Sequence, residues 1–300
     1  MNCPPRTLVL PPRLTASARA LRATALRRGL RIVEGAASAV PEGLGRPGWT
    51  DAAGRTQGTA RRETAGPKEG ARPKGGAAST EGMGTEGMGG DGPAVHLHAG
   101  PSFADVVAPA LGIALLEAPA DWLARLPRAL TRRDVRAMPI GEAYRLRRPA
   151  FVKSPNDKSI PALVYADGSR LPGPDAVDPA TVVLVSDVMT FTVEYRLHLL
   201  DGAVHTAGQY AEAGRLRLGP PDGDALAFGR DVLAAAGETL PSAIVVDVGR
   251  DEEGRWAAIE ANAAWASGCY AASPDRALDT VLRAAGPATD LTPHDRGFVR

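Results

Sequence analysis

Residues 244–249 read IVVDVG and residues 256–262 read WAAIEAN, with a charged, glycine-containing stretch between them. Two apolar runs joined in this way predict a β-hairpin. Side chains alternate across a strand, so Glu260 and Asn262 point to one face. If the strand register places Asp247 opposite them, three oxygen-bearing side chains converge beside a dry core. Such ligands suit Mg²⁺, which completes its shell with water and phosphate oxygens. The alternative interpretation is two solvated carboxylates and a turn-forming asparagine.

A second informative stretch lies upstream, where residues 151–159 read FVKSPNDKS. The first residues predict a short strand that carries Lys153, and the Ser-Pro-Asn-Asp segment predicts a turn that places Lys158 and Ser159 on a loop. Two lysines held in this way can grip a polyphosphate from two sides, although either lysine alone would more commonly be solvated. The chain contains no G-x-x-x-x-G-K-[ST] motif, so this is not a Walker A loop.

A third region, residues 181–202, connects these two stretches. Its sequence predicts a buried strand, a connecting segment, a strand of alternating character with Glu194 and Arg196, and an Asp-Gly turn. The order along the chain is therefore a lysine strand, a lysine loop, an apolar strand with a hinge, a Glu-x-Arg strand, an Asp strand and a Glu-x-Asn strand.

This order resembles the ATP-grasp superfamily of ATP-dependent carboxylate–amine ligases over about Ala143 to Tyr270. It is most similar to the compact ATP-grasp domain proteins with the signature FVK-P-NDKS, E-x-R and EANAAW-x-SG-x-Y, found here at Phe151–Ser159, Glu194–Arg196 and Glu260–Tyr270. The resemblance implies an ATP-grasp fold of the α/β (α+β) class, preceded by a small α/β pre-ATP-grasp domain.

The domain boundaries follow from the resemblance and from composition. We expect the N-terminal domain over residues 1–118, with a disordered insertion at about 42–93 where Gly, Ala, Thr, Arg and Pro dominate. A connector follows at 119–142, the ATP-grasp region spans 143–285, and a flexible tail covers 286–300.

The resemblance also implies a role for each candidate residue. Lys153 would contact the phosphates, the loop with Lys158 and Ser159 would close over them, and hinge backbone groups would bond the adenine. Either Asp187 or Glu194 would bind the ribose. The implied sets are Lys153, Lys158, Ser159, Leu184, Val185, Ser186, Asp187, Val188 and Glu194 for ATP; Arg196 and Lys158 for catalysis; Asp247, Glu260 and Asn262 for one or two Mg²⁺ ions; and Trp265, Ser267, Gly268 and Tyr270 for the substrate. Two alternatives stay open: Arg196 as a partner for Glu194, and Trp265 as core packing.

The activity that the resemblance implies is an ATP- and Mg²⁺-dependent ligase. A small carboxylate would form an acyl-phosphate, which an amine (or a thiol) then attacks. The alternatives are a phosphotransferase on the same fold and a nucleotide-binding module without catalysis. A Ca²⁺-binding EF-hand loop starting at Asp247 is excluded, because its sixth position is Glu252 where the pattern needs Gly.

Composition limits the partners and the compartment. The 300 residues carry a formal net charge of +1, so charge does not favour nucleic acid or an anionic membrane. No apolar run is long enough to span a bilayer. Cys3 and Cys269 form neither a metal-binding spacing nor a disulfide framework, which favours a reducing, cytoplasmic location.

The N-terminal region has its own pattern. The seven arginines among the first 33 residues could suggest a transit peptide. We prefer a strand at Thr7–Leu10, a helix capped by Thr15 and a strand at Leu30–Val33. After the insertion, a third strand would carry His96 and His98 on one face, as structural histidines rather than a metal pair. The remaining predictions are helices at 102–111, 119–127, 140–146, 226–237 and 274–285 and a strand at 113–116.

Overall fold

The computed structural model describes residues 6–35, 94–156 and 159–300. The predicted insertion at about 42–93 lies outside these residues, as does Lys158. Within the described ranges, no helix is both long enough and apolar enough to cross a membrane.

The N-terminal layer is a small α/β unit. Its sheet has three parallel strands in the order β2-β1-β3, and Leu8 lies opposite both Ile32 and His96. Thr15 accepts a hydrogen bond from the backbone N of Ala18 at 3.2 Å, as expected for a helix cap. The strand–helix–strand prediction is therefore confirmed. The elements are β1 (Thr7–Leu10), α1 (Ala16–Arg27), β2 (Arg31–Glu34), β3 (Val95–Leu97), α2 (Pro101–Ala110) and β4 (Ile113–Leu115).

A connecting segment leads into a second sheet of four antiparallel strands, in the order β5-β8-β6-β7. Its first strand comes from residues that the sequence assigns to the connector. The helix predicted over 140–146 is a single turn. Trp122 is buried, and its indole N–H donates to Thr239 at 3.1 Å. The elements are α3 (Trp122–Arg125), α4 (Arg128–Thr131), β5 (Val135–Pro139), α5 (Ile140–Ala143), β6 (Ala150–Lys153), β7 (Leu163–Tyr165) and β8 (Val182–Ser186).

The largest sheet has five antiparallel strands in the order β11-β10-β9-β12-β13. Its central strand β12 is buried on both faces. Val246 packs with Val232 on one side, and Val245 packs with Leu97 of the N-terminal layer on the other. This explains the unbroken apolar run in the sequence. The elements are β9 (Phe191–Leu200), β10 (Ala203–Glu212), β11 (Arg215–Gly219), α6 (Gly223–Ala236), β12 (Ala243–Asp251), β13 (Trp256–Asn262), α7 (Pro274–Ala284) and β14 (Ala285–Pro287).

Residues 286–300 correct the prediction of a flexible tail. Strand β14 pairs with β4, and the backbone N of Arg300 donates to the carbonyl of Leu115 at 2.9 Å. Asp295 is 1% exposed and accepts from the backbone N of Ser242 at 2.8 Å. Single polar contacts and backbone pairing hold this segment, so it has no apolar periodicity that the sequence could reveal.

Candidate functional site

The hairpin of β12 and β13 brings the three predicted oxygen-bearing side chains together. Asp247 lies directly opposite Glu260, and the register shifts immediately after this pair. The Asn262 amide Nδ2 donates to Glu260 Oε1 at 2.7 Å and to Asp247 Oδ2 at 3.2 Å. The alternation of side chains across β13 therefore places Glu260 and Asn262 on the face expected from the sequence.

Lys153, at the end of β6, reaches this cluster from the other sheet. Its Nζ contacts Glu260 Oε2, and the whole residue is 8% exposed. Burial alone would raise the pKa of Glu260, but the Lys153 ammonium and the Asn262 amide outweigh it and lower that pKa to about 2. Glu260 is therefore an ionised carboxylate at neutral pH, held between a cation and an amide.

Arg196 continues the line of charges on the neighbouring strand β9. Its Nε and Nη2 donate to the two oxygens of Asp247 at 2.8 and 2.7 Å. Its guanidinium carbon lies 4.9 Å from the ring centroid of Tyr270 and 5.6 Å from that of Tyr210. Burial, reinforced by the Glu260 carboxylate, raises the pKa of Asp247 to about 6 against the opposite effect of Arg196.

These groups border a large cavity of about 1030 Å³. Lys153, Ser159, Glu260 and Asn262 line one part of its wall. Other parts come from the start of α2, from the segment after β4 and from the tail. A cavity of this size, with a few converging polar groups, is typical of a site for small molecules. The remaining lining residues used below are Asp105, Glu117, Asn156, Trp265, Ser267 and Arg300.

Residues 130–280 match the model of an ATP-grasp domain family, the second family of its clade. The chain belongs to this ATP-grasp family. The predicted superfamily and the mixed α/β class are therefore confirmed, and an ATP-dependent ligase is the general activity that membership supports. A comparison with curated proteins finds no match.

Two solved structures are similar to this ATP-grasp chain. "D-cycloserine synthetase DcsG" has a TM-score of 0.51 at 13% identity, with 91% of this chain and 98% of that chain covered. A "RimK domain protein ATP-grasp" from Sphaerobacter thermophilus has a TM-score of 0.46 at 13% identity, covering 92% and 99%. The first likeness supports the fold, and at these identities neither indicates a substrate.

The donor set can be tested for its fit to Mg²⁺. The carboxylate of Glu260 and the amide oxygen of Asn262 belong to side chains that line the cavity, and such oxygens fit an ion that keeps water and phosphate ligands. Asp247 fits less well, because it is 1% exposed and both of its oxygens accept from Arg196. Within the described residues, no group of three or more His, Cys, Asp or Glu side chains is arranged to hold a metal.

The alternative partner for Arg196 is wrong. Glu194 lies two residues away but accepts a hydrogen bond from the Tyr210 hydroxyl at 2.5 Å, while Arg196 pairs with Asp247. The register of β9 against β12 explains this choice, because it places Arg196 directly opposite Asp247.

The hinge residues are spread over different surroundings. Val185 and Ser186 are buried in β8, whereas Val188 is about half exposed. The Asp187 carboxylate accepts from the backbone N of Asp134 at 3.2 Å. Leu184 alone among the hinge set lines a small cavity of about 10 Å³ beside Lys153 and Glu260. The structure therefore does not gather the predicted adenine and ribose residues into the large cavity.

The predicted substrate residues divide into two groups. Trp265 and Ser267 line the cavity, and Trp265 is also a fully buried core residue whose indole donates to the Leu116 carbonyl at 3.0 Å. Gly268 and Tyr270 lie instead beside Arg196, which donates to the Gly268 carbonyl at 3.3 Å. Tyr270 adopts a left-handed backbone with φ of 46° and stacks on Tyr210 at 5.2 Å between ring centroids.

Two further predictions concern residues outside this site. His96 and His98 are buried, and burial lowers the pKa of His98 to about 4. His96 Nδ1 lies 2.8 Å from the Leu282 carbonyl, so both histidines belong to the packing of the N-terminal layer. Cys269 is a buried free thiol whose pKa burial raises, which is the opposite of nucleophile activation.

Sequence reasoning missed four polar residues that line the cavity. Asn156 lies inside the NDKS signature, so that motif contained the one available signal. Asp105, Glu117 and Arg300 fall in no motif, and only the folded chain brings the tail to α2 and to the end of β4.

Proposed function

We propose that this ATP-grasp protein is an ATP- and Mg²⁺-dependent ligase that activates a carboxylate as an acyl-phosphate and transfers the acyl group to an amine. The observation that carries the proposal is the unbroken line Lys153, Glu260, Asn262, Asp247 and Arg196. It provides cations for phosphate and oxygen ligands for Mg²⁺ within one hairpin and its neighbouring strands.

In this proposal Lys153 binds the phosphates of ATP. Its ammonium now contacts Glu260, and an incoming phosphate would replace that carboxylate as its partner while Glu260 turns to Mg²⁺. When bound, Mg²⁺ neutralises phosphate charge and aligns the phosphoryl group. Lys158 and Ser159 belong to the loop that follows β6, and we assign them the closing of that loop over the nucleotide.

We assign Arg196 the stabilisation of negative charge on the γ-phosphate and on the acyl-phosphate. Three of its N–H groups donate to Asp247 and Gly268, which fixes the guanidinium plane. A preorganised cation stabilises a transition state without reorganising during the reaction. Asp247 is then a positioning residue for Arg196 rather than a direct ligand of the metal.

The nucleotide base and the ribose are assigned to the hinge. Backbone groups of residues 184–188 follow Lys153's neighbouring strand and can bond the base edge, and Asp187 or Glu194 would bind the ribose. The substrate is assigned to the part of the large cavity beside Trp265 and Ser267. Gly268 and Tyr270 would act indirectly, through their contacts with Arg196. We expect a cytoplasmic protein whose partners are ATP, a small carboxylate and an amine.

The reaction follows from these assignments. A substrate carboxylate oxygen attacks the γ-phosphorus and ADP leaves, which gives an acyl-phosphate. The amine nitrogen attacks the acyl carbon, loses a proton and expels phosphate, which leaves an amide. A thiol would give a thioester by the same steps. Phosphoryl transfer to another acceptor and nucleotide binding without turnover are the competing functions.

Hydroxylamine trapping distinguishes these functions. The protein is incubated with ATP, Mg²⁺ and a panel of amino acids and peptides, with hydroxylamine as the nucleophile. A ligase yields ADP, phosphate and a hydroxamate that mass spectrometry identifies. A phosphotransferase yields ADP and a stable phosphorylated product without hydroxamate, and a binding module yields no ADP. Either of the last two results contradicts the proposal.

A further inference from the structure

One part of the cavity wall has no assigned role in the reaction. It carries the side chains of Asp105 on α2, Glu117 after β4 and Arg300 in the tail, hereafter the charged wall. None of these residues belongs to the line of charges from Lys153 to Arg196. The charged wall and that line nevertheless border the same cavity of about 1030 Å³.

The contacts within the charged wall are specific. Arg300 Nε donates to Asp105 Oδ1 at 2.7 Å, and Arg300 Nη1 donates to Glu117 Oε1 at 2.5 Å. The guanidinium carbon lies 5.8 Å from the ring centroid of Trp265. Backbone bonds fix both partners, because Arg300 N donates to the Leu115 carbonyl and Glu117 N donates to the Phe298 carbonyl, each at 2.9 Å.

The charges of this wall have both signs and are not balanced. Two carboxylates face one guanidinium, and the side chain of Glu117 is only 11% exposed. Burial raises the pKa of Glu117, which shows that its carboxylate is poorly hydrated. A second cation would compensate this charge. Arg300 uses three of its five N–H groups on the two carboxylates, so it retains donors for an anion.

We propose that the charged wall binds the head group of a zwitterionic substrate, an α-amino acid or the terminus of a short peptide. The ammonium would lie on Glu117 and Asp105, and the carboxylate on Arg300. This inference rests on the proposed function, because the head group would direct the other end of the substrate toward Lys153 and Glu260.

A further contact connects the charged wall to the nucleotide. Asn156, in the loop between Lys153 and Ser159, donates from Nδ2 to Glu117 Oε2 at 3.3 Å and to the Ala118 carbonyl at 3.0 Å. An ammonium on Glu117 would compete with Asn156 for that oxygen. The head group therefore lies where it contacts the same loop that we assign to ATP.

Binding measurements test this inference without turnover. Binding of the non-hydrolysable analogue AMP-PNP with Mg²⁺ is measured first by calorimetry. The loaded protein is then titrated with individual L- and D-amino acids, and each one that binds is compared with its N-acetyl and carboxamide derivatives. We expect at least one amino acid to bind, and each derivative to bind about tenfold more weakly because it leaves a buried charge unpaired.

Single variants assign the two halves of the head group. Glu117→Gln should weaken binding of the free amino acid and have little effect on the N-acetyl derivative. Arg300→Gln should weaken the free amino acid and have little effect on the carboxamide. Arg296→Gln, at another position in the tail, is the matched control and should bind as the wild type does. Thermal melts establish that each variant is folded.

The outcomes separate this inference from the proposed function. If AMP-PNP binds but no amino acid does, or if folded Glu117→Gln and Arg300→Gln proteins bind as tightly as the wild type, the zwitterion site is wrong and the nucleotide site stands. If AMP-PNP does not bind, the proposed function fails, and the titrations repeated without nucleotide still decide whether the charged wall binds amino acids.

Discussion

At the scale of single residues, the candidate site consists of charges that neutralise one another. Lys153 and Glu260 form one pair, Arg196 and Asp247 form another, and Asn262 bridges the two carboxylates. The two pairs differ in accessibility. The side chain of Glu260 is 27% exposed, whereas that of Asp247 is 1% exposed. Ligands from the cavity can therefore compete for the first pair more readily than for the second.

Lys153→Ala should weaken ATP binding. The substitution removes a nearly buried cation, and a charged hydrogen bond contributes about 1.5–3 kcal/mol, so the dissociation constant should rise about 10- to 100-fold. Calorimetric titration with ATP and Mg²⁺ measures the effect. Arg215→Ala removes an exposed cation on β11 and is the control. Unchanged ATP affinity in a folded Lys153→Ala protein would show that the nucleotide binds elsewhere.

Glu260→Gln should alter the Mg²⁺ dependence of ADP formation. The change keeps the shape and removes the charge that we assign to the metal, so turnover should fall by about a thousandfold at moderate Mg²⁺. Asn262→Ala should have a smaller effect, because a neutral amide contributes less to binding a hard cation. The measurement is ADP formation as a function of Mg²⁺ concentration, with melts to confirm folding.

Asp247→Asn is the companion variant for that experiment. It leaves the buried Arg196 without its anion, and breaking a buried ion pair costs about 3–5 kcal/mol. We therefore expect a large loss of stability and of turnover, but an unchanged Mg²⁺ concentration for half-maximal rate. A Mg²⁺ requirement that rises in Asp247→Asn as it does in Glu260→Gln would make Asp247 a direct ligand.

At the scale of elements, the sequence predicts local structure well and partners poorly. The hairpin and its shared face follow from alternation in residues 256–262, and α7 follows from its apolar spacing. The partner of Arg196 does not follow, because Asp247 lies 51 residues away and only the pairing of β9 with β12 brings them together. Glu194 was the nearer candidate in sequence, and the register excludes it.

Gly208 tests how β10 positions the loop with Tyr270. A Cβ at Gly208 would lie 2.5 Å from the backbone N of Ala272 and 2.6 Å from the backbone C of Ala271, closer than packed atoms allow. Gly208→Ala should therefore displace this loop, with a loss of about 1–3 kcal/mol in the free energy of unfolding. Urea denaturation measures it. Gly223→Ala, where a Cβ meets nothing within 4 Å, is the control. Equal stability of the two variants would show that the loop gives way freely.

At the scale of the whole molecule, the tail joins parts that are distant in sequence. Arg300 pairs with Asp105 and Glu117, which lie 195 and 183 residues away, and β14 extends β4. No local pattern predicts such contacts, which is why the sequence indicated a flexible tail. Because the charged wall exists only when residues 286–300 are docked, the stability of the docked tail bears on the whole cavity.

Asp295 is the residue through which this docking depends on pH. Its carboxylate accepts from the backbone N and hydroxyl of Ser242 at 2.8 and 2.7 Å and from the Thr292 hydroxyl at 2.9 Å. Although burial opposes them, these bonds hold the pKa of Asp295 below its ordinary value of 3.8. A carboxyl whose pKa is lower in the folded state stabilises that state above the ordinary pKa, and this contribution disappears as pH falls below it.

Asp295→Asn should therefore destabilise the protein at neutral pH and much less in acid. The amide presents an N–H₂ group where Ser242 and Thr292 donate, so the free energy of unfolding should fall by about 1–3 kcal/mol at pH 7. Urea denaturation of both proteins from pH 7 to pH 3 measures the difference between them. That difference should persist down to about pH 4 and then shrink, because protonated Asp295 loses the same bonds in the wild type. Asp290→Asn, an exposed carboxyl in the same tail, should show no such difference. A constant gap between wild type and Asp295→Asn across this range would mean that the ionised carboxylate is not what holds the tail, and that its backbone pairing with β4 suffices.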